Sequence, residues 1–279
     1  MDFVRLAQPR IVALFLLAVV AAMLLAGRPG AVLVSQVVAA TALAVGGAAM
    51  LNNVLEAKLD QSMQRTRRRP TASGAVDRRH AVSVGAGMVV VGAAALWSWA
   101  GAGAAGLALG GALYYVLVYT LVLKPHLALS AVPGSLAGVF PPLIGWVAVG
   151  APPTASILFL CAFIVCWSPP HSWALVLALA DEYEDSGIPT PVARYGPRAT
   201  RRLIVAAVAV LTGLTMAPAL AGIYGPVYLW MCLGAGAALW WLAIRLIVKR
   251  TPAASWAFFK GSGPYLAVVL VAMLLGDRL

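Results

Sequence analysis

The chain is 279 residues long, 62% of them hydrophobic and only 10% charged, with a formal net charge of +11. Soluble domains carry about 25% charged residues, so this chain cannot cover a water-facing surface, and a water-soluble enzyme is excluded. Its basic residues sit between apolar runs, where lipid headgroups, topology and a phosphorylated substrate account for them better than nucleic acid.

A helix that crosses a bilayer needs about 20 mainly apolar residues, because the hydrocarbon core is roughly 30 Å thick. The sequence predicts nine such helices. The first covers 11–27. It has no clear small-residue cleavage site and more spans follow it, so it reads as a span rather than a secretory signal. The second covers 31–55 and runs into Asn52, Asn53, Glu56, Lys58 and Asp60. Asn52, Glu56 and Asp60 recur every four residues, along one drifting helical stripe. Oxygen ligands on one stripe can hold Mg2+, which keeps some waters and bridges substrate phosphates. Arg65, Arg67, Arg68 and Arg69 follow directly, and guanidinium groups bind phosphate oxygens bidentately. A carboxylate pair beside an arginine run suits a metal–diphosphate site. The same residues also read as a solvated helix end.

Spans three to five are predicted at 81–100, 107–123 and 127–149, with Lys124 after the fourth. His80 and His126 fall at predicted helix ends and read as interfacial. Gly106 and Gly110, like Gly134 and Gly138, are four apart, a spacing that lets membrane helices approach closely. The sixth span, 156–180, contains Trp167, Pro169, Pro170, His171 and Trp173. A proline pair removes backbone donors, which a span tolerates where neighbours or a cavity compensate. An ionisable residue at membrane depth is a functional candidate. A neutral imidazole can ligate heme iron or relay a proton, and an interhelical hydrogen bond is the alternative. Just past this span stand Asp181, Glu182, Glu184 and Asp185. They read either as a second metal-binding edge or as acids neutralised by Arg194, Arg198, Arg201 and Arg202. The last three spans are 203–221, 227–247 and 253–276, the start of the last blurred by Lys260 and Pro264. Cys161, Cys166 and Cys232 lack metal-ligand spacing and read as small buried residues.

Placing the N-terminus in the cytoplasm and alternating spans puts every Lys and Arg on the cytoplasmic side except Arg28 and Arg278. That is the expected bias, and it leaves the C-terminus outside. The two long charged connections, 56–80 and 181–202, are then cytoplasmic. They hold all acidic residues except Asp2 and Asp277, so metal and phosphate chemistry is expected at the cytoplasmic mouth. The whole reading is an all-α polytopic membrane protein, with residues 1–279 forming one domain.

These residues resemble the UbiA superfamily of intramembrane prenyltransferases, and its heme O synthase (protoheme IX farnesyltransferase) branch in particular. The branch pattern Asn-Asn-x-x-Asp-x-Asp-x-Asp-x-x-Met-x-Arg-Thr-x-x-Arg-Pro appears as Asn52, Asn53, Glu56, Lys58, Asp60, Met63, Arg65, Thr66, Arg69 and Pro70. Further blocks follow collinearly: Tyr119-Thr120-Leu121 with Lys124, Pro141 to Trp146, Trp167 to Leu175, and Asp181-Glu182-Tyr183 with Gly187-Ile188-Pro189. The resemblance implies nine helices around a central cavity. It implies Mg2+-dependent transfer of farnesyl from farnesyl diphosphate to a vinyl group of heme B, giving heme O. Carried over, Asn52, Glu56, Asp60, Asp181 and Asp185 are the catalytic and metal residues. Arg65, Arg69 and Lys124 bind diphosphate, and His171 contacts heme. The resemblance also implies residence in the plasma membrane with the active site facing the cytoplasm. It leaves open which heme-pathway or oxidase-assembly proteins are partners. Several residues depart from the branch. Glu56 and Lys58 stand where it has Asp, Glu182 replaces Asp, and Pro125-His126-Leu127 replaces a basic, polar stretch. These changes keep two alternatives in view: another acceptor, such as a quinone or aromatic precursor, and a non-catalytic heme-binding or transport protein.

Overall fold

A computed structural model of the chain describes residues 2–276; Asp277 and Arg278, used in the topology reading, lie outside them. Among the described residues, nine helices are long and apolar enough to cross a membrane. They are α1 (Pro9–Ala26), α2 (Ala31–Leu55), α3 (Arg78–Ala100), α4 (Ala102–His126) and α5 (Ala131–Ala148), then α6 (Ala155–Ala178), α7 (Pro191–Leu220), α8 (Pro226–Lys249) and α9 (Pro252–Gly276). The protein is an all-α integral membrane protein.

Most boundaries lie close to those read from sequence, and two do not. Helix α4 starts at Ala102 rather than Leu107, and its stretch Tyr114–Leu123 is π-helical. Helix α7 starts at Pro191 rather than Leu203. Thr190 caps it, its hydroxyl oxygen accepting from the Ala193 N–H at 3.1 Å, and Pro191 occupies the first turn, where a missing N–H costs nothing. Gly196, at φ 80°, then kinks the helix. The stretch read as the loop 181–202 is therefore largely helical, with a short helix Ala180–Asp185 preceding α7. The proline pair does not interrupt α6, which runs through Pro169 and Pro170. The break comes later, at Leu179, with φ −122° and ψ 33°.

The chain divides into two compact units. The first takes the chain up to His126 together with Leu136–Ile157. Its core joins Val19 and Met23 of α1, Val37, Ala40 and Ala44 of α2, Leu96 of α3, Ala104, Ala105 and Ala108 of α4, and Ile144 of α5. Small residues dominate because lipid gives helices no hydrophobic reason to associate, so close packing must supply the attraction. Helices α2 and α3 approach closely. A Cβ on Gly47 would lie 2.5 Å from the Gly85 carbonyl oxygen, and one on Gly92 would lie 2.6 Å from that of Ala40. Gly106, expected from its spacing to pack, has no such neighbour, and a Cβ on Gly110 would only touch Phe140 at 3.4 Å. Helix α3 begins at Asp77, whose Oδ1 accepts from the N–H groups of Arg79 and His80 at 2.9 and 3.1 Å. These bonds favour the ionised acid and hold its carboxyl below the usual carboxylate range.

The second unit takes Leu127–Ser135 and the chain from Leu158 on. Here α8 packs on both α7 and α9. The Tyr228 hydroxyl donates to the Thr215 carbonyl at 2.7 Å, and the Thr215 and Tyr265 hydroxyls meet at 2.8 Å. Phe159 and Phe163 of α6 stack on each other and reach the rings of Tyr228 and Tyr265.

Candidate active site

The end of α2 carries two adjacent asparagines that face different ways. Asn53 is a structural staple: its Nδ2 donates to the Leu6 carbonyl at 2.8 Å, and its Oδ1 accepts from Gln8 Nε2 at 3.1 Å. It thereby fixes the left-handed residue Gln8, φ 52°, that begins α1. Asn52, also buried, donates instead through its Nδ2 to Thr120 Oγ1 of α4 at 2.9 Å.

The stripe read from sequence survives the end of α2. Glu56 lies at the turn between α2 and the short helix Ala57–Ser62, yet the i to i+4 bonding continues. Glu56 N–H donates to the Asn52 carbonyl at 2.9 Å, and Asp60 N–H to that of Glu56 at 2.8 Å. Each acid of the stripe holds a cation: Glu56 Oε1 pairs with Lys124 Nζ, and Asp60 takes Arg69 Nη1 on both oxygens, at 3.0 and 2.9 Å. Asp60 is only 2% exposed. Burial pushes its carboxyl above the usual range, and Arg69 opposes that without cancelling it. Lys58 is exposed and joins neither ion pair, so its departure from the branch pattern leaves the two acid–cation contacts intact.

The segment after Asp60 is folded back by its own motif. Met63 and Thr66 are buried, and Thr66 Oγ1 donates to the Asp60 carbonyl at 3.2 Å. Arg69 N–H then closes onto the Thr66 carbonyl at 2.8 Å, and the Pro70 carbonyl accepts from Val76 N–H at 3.0 Å. Thr71 Oγ1 bonds the Asn53 carbonyl at 3.1 Å. The spacing from Met63 to Pro70 thus returns one arginine, Arg69, to Asp60, while Arg65, Arg67 and Arg68 remain exposed.

The other sequence-derived residues lie in the second unit. Asp181 and Asp185 are exposed on the helix Ala180–Asp185. Among the described residues neither pairs with Arg194, Arg198, Arg201 or Arg202. His171 is stacked between Trp167 and Phe259, with ring centroids 4.5 and 4.3 Å away. Its Nδ1 lies 2.7 Å from Ser262 Oγ, and Ser262 Oγ donates to the Phe259 carbonyl at 2.8 Å. With that proton committed, Nδ1–H is the donor and Nε2 carries the lone pair. Trp167 Nε1 donates to the Ser262 carbonyl at 2.7 Å, and the buried Trp173 Nε1 has no hydrogen-bond partner among the described residues. His171 therefore uses Nδ1 for interhelical bonding. Thr120 was not singled out for chemistry from sequence; only its place in the Tyr119-Thr120-Leu121 block pointed to it.

The donor chemistry can be tested against Mg2+. Among the described residues no three His, Cys, Asp or Glu side chains gather closely enough to cage a metal. Mg2+ does not require such a cage, since one or two carboxylates and substrate phosphates complete its shell. Asn52, Glu56 and Asp60 carry oxygens of that kind, with Lys124 paired to Glu56 and Arg69 to Asp60.

The chain is 37% identical to protoheme IX farnesyltransferase 1 of Chromobacterium violaceum, over 97% of its own length and 91% of that protein's. It is 35% identical to the protoheme IX farnesyltransferase of Roseiflexus over 99% of its length, but spans only 52% of that relative. A solved UbiA homologue from Archaeoglobus fulgidus, bound to DMAPP and Mg2+, shares the fold at a TM-score of 0.71, with 14% identity over 98% of this chain and 99% of that one. The sequence profile of the UbiA prenyltransferase family matches residues 13–272. The chain belongs to the UbiA prenyltransferase family.

Proposed function

We propose that the protein is a Mg2+-dependent heme B farnesyltransferase that makes heme O. The observation that carries this reading is the pairing of Glu56 with Lys124 and of Asp60 with Arg69 beside Asn52. It concentrates metal-ligating oxygens and phosphate-binding cations at one place. The relatives named as protoheme IX farnesyltransferases support heme B as the acceptor, and the Trp167–Trp173 block supports the same branch. Asn52, Glu56 and Asp60 hold the metal–diphosphate complex, Asp181 and Asp185 supply a second metal-binding edge, and Arg65, Arg69 and Lys124 bind phosphate oxygens. His171 contacts the porphyrin through Nε2. Residues 1–279 act as one transferase domain in the plasma membrane, with the N-terminus and active site cytoplasmic and the C-terminus outside.

Bound Mg2+ would neutralise charge on the diphosphate leaving group. The residues of the chain do the rest. Lys124 and Arg69 hold the diphosphate oxygens where negative charge grows as the allylic C–O bond breaks with both electrons leaving on diphosphate. Keeping water from the allylic cation until the vinyl carbon of heme B has attacked it prevents its hydrolysis. The cation then left on the heme side chain takes up water, which loses a proton to give the hydroxyethylfarnesyl group.

The test of the acceptor is a competition. Purified protein in nanodiscs receives labelled farnesyl diphosphate and Mg2+ with heme B and an aromatic or quinone precursor together. Label in the heme fraction alone is the expected result. Label in the aromatic fraction would assign a different acceptor, and heme binding without diphosphate release would assign a non-catalytic role.

A further inference from the structure

The amide of Asn52 is oriented by a residue outside the acidic stripe. Asn52 Nδ2 donates to Thr120 Oγ1 at 2.9 Å, and Thr120 Oγ1 donates to the Tyr115 carbonyl at 2.8 Å. Asn52 and Thr120 are 3% and 6% exposed, so protein partners decide both orientations. A hydroxyl has one proton to give and lone pairs to accept with. Once Thr120 gives its proton to Tyr115, it can only accept from Asn52. An acceptor there turns the amide nitrogen toward α4 and leaves Oδ1, the only atom of that side chain able to ligate a cation, on the other side.

The local backbone explains why Thr120 can do this. In an α-helix a threonine hydroxyl bonds a carbonyl three or four residues back. Within the π-helical stretch Tyr114–Leu123 the hydroxyl reaches the carbonyl five residues back, because this register brings that carbonyl beneath it. Wide turns of this kind cluster at functional sites. The same stretch delivers Lys124, the next residue after it, to Glu56. One irregular element thus presents a cation to the acid and an acceptor to the amide.

We propose that Thr120 is a positioning residue for the divalent-cation site, locking Asn52 with its carbonyl oxygen presented as a ligand. This rests on the metal–diphosphate reading above. The test uses the full chain in nanodiscs, with Mn2+ titrated in the presence of inorganic diphosphate and binding followed by electron paramagnetic resonance. Thr120→Val keeps the shape and removes the hydroxyl; it should weaken Mn2+ binding about 10-fold or more, the usual cost of losing an outer-shell partner. Thr120→Ser should restore affinity to near the wild-type value. In turnover assays Thr120→Val should raise the Mg2+ concentration for half-maximal rate more than it lowers the rate at saturating Mg2+. Should Thr120→Val fail to fold, judged by its melting curve, Thr120→Ala reads the same loss. Unchanged Mn2+ affinity in the folded Val or Ala variant, or a Ser variant as weak as Val, would overturn the role of Thr120 while leaving the metal site standing. Failure of the wild-type protein to bind Mn2+ with diphosphate would overturn the metal-site reading and this role with it.

Discussion

At Asp60 two forces on one carboxylate oppose each other. Burial raises its proton affinity and Arg69 lowers it, and burial prevails. A carboxyl whose folded pKa lies above its unfolded value of 3.8 stabilises the fold fully below that value, and this contribution is lost as pH rises through the folded pKa. At neutral pH the ionised acid is therefore a net cost to folding. Asp60→Asn should melt at a higher temperature than wild type in metal-free buffer at pH 7, the gap closing as pH falls toward 4, and it should lose farnesyl transfer. A lower melting temperature at pH 7 would mean that the Arg69 pair outweighs burial. Glu56 and Lys124 form a second such pair. Lys124→Met strands a mostly buried carboxylate and should cost about 1–3 kcal/mol, while Lys124→Met with Glu56→Gln should recover most of that stability. Additive losses in this double-mutant cycle would show that the two side chains are not coupled. His171→Ala should shift the Soret band of bound heme, and an unchanged spectrum would remove His171 from heme contact. The stripe Asn52, Glu56 and Asp60 was legible in sequence because its four-residue spacing is a local, helical signal. Its contacts with α4 were not: the resemblance singled out Lys124 for diphosphate, but Thr120 and Lys124 each lie 68 residues from the group they bond, and no periodicity reports a contact across that distance.

Elements were read best where apolar length alone decides them. The limits of α2 came out as observed, and those of most other spans within a few residues. The π-helical part of α4 stayed hidden, because a run of apolar residues facing lipid and neighbours alike carries no mark of register. The early start of α7 stayed hidden for another reason. Arg194, Arg198, Arg201 and Arg202 make its first turns look like a loop on a hydropathy reading, although Thr190 and Pro191 form a recognisable helix start. Glycine spacing misled as well. Gly106 meets nothing, whereas Gly47, Gly85 and Gly92 close the α2–α3 contact. Gly47→Ala forces a methyl group against the Gly85 carbonyl and should cost about 1–3 kcal/mol. Gly106→Ala should leave the melting temperature unchanged or raise it slightly, since alanine is favoured over glycine inside a helix by about 1 kcal/mol. Equal melting temperatures for the two variants would contradict the close α2–α3 packing.

Across the whole molecule, the sequence carried two kinds of information of unequal depth. Composition and span length established an integral membrane protein of all-α fold. The arrangement of Lys and Arg reaches further and predicts that both acidic segments open to the cytoplasm, so that a charged diphosphate enters from the aqueous side. The departures from the branch pattern bear on the same question. Lys58 is exposed, and Glu56 retains a cation partner in Lys124, so both acid–cation contacts of the first unit stand despite these changes. The measurement that tests this most directly is turnover of heme B and farnesyl diphosphate by the purified protein in nanodiscs, with product mass read by chromatography. The account predicts a hydroxyethylfarnesyl heme that forms with Mg2+ and disappears with EDTA. Heme that stays bound and unmodified under the same conditions would contradict it.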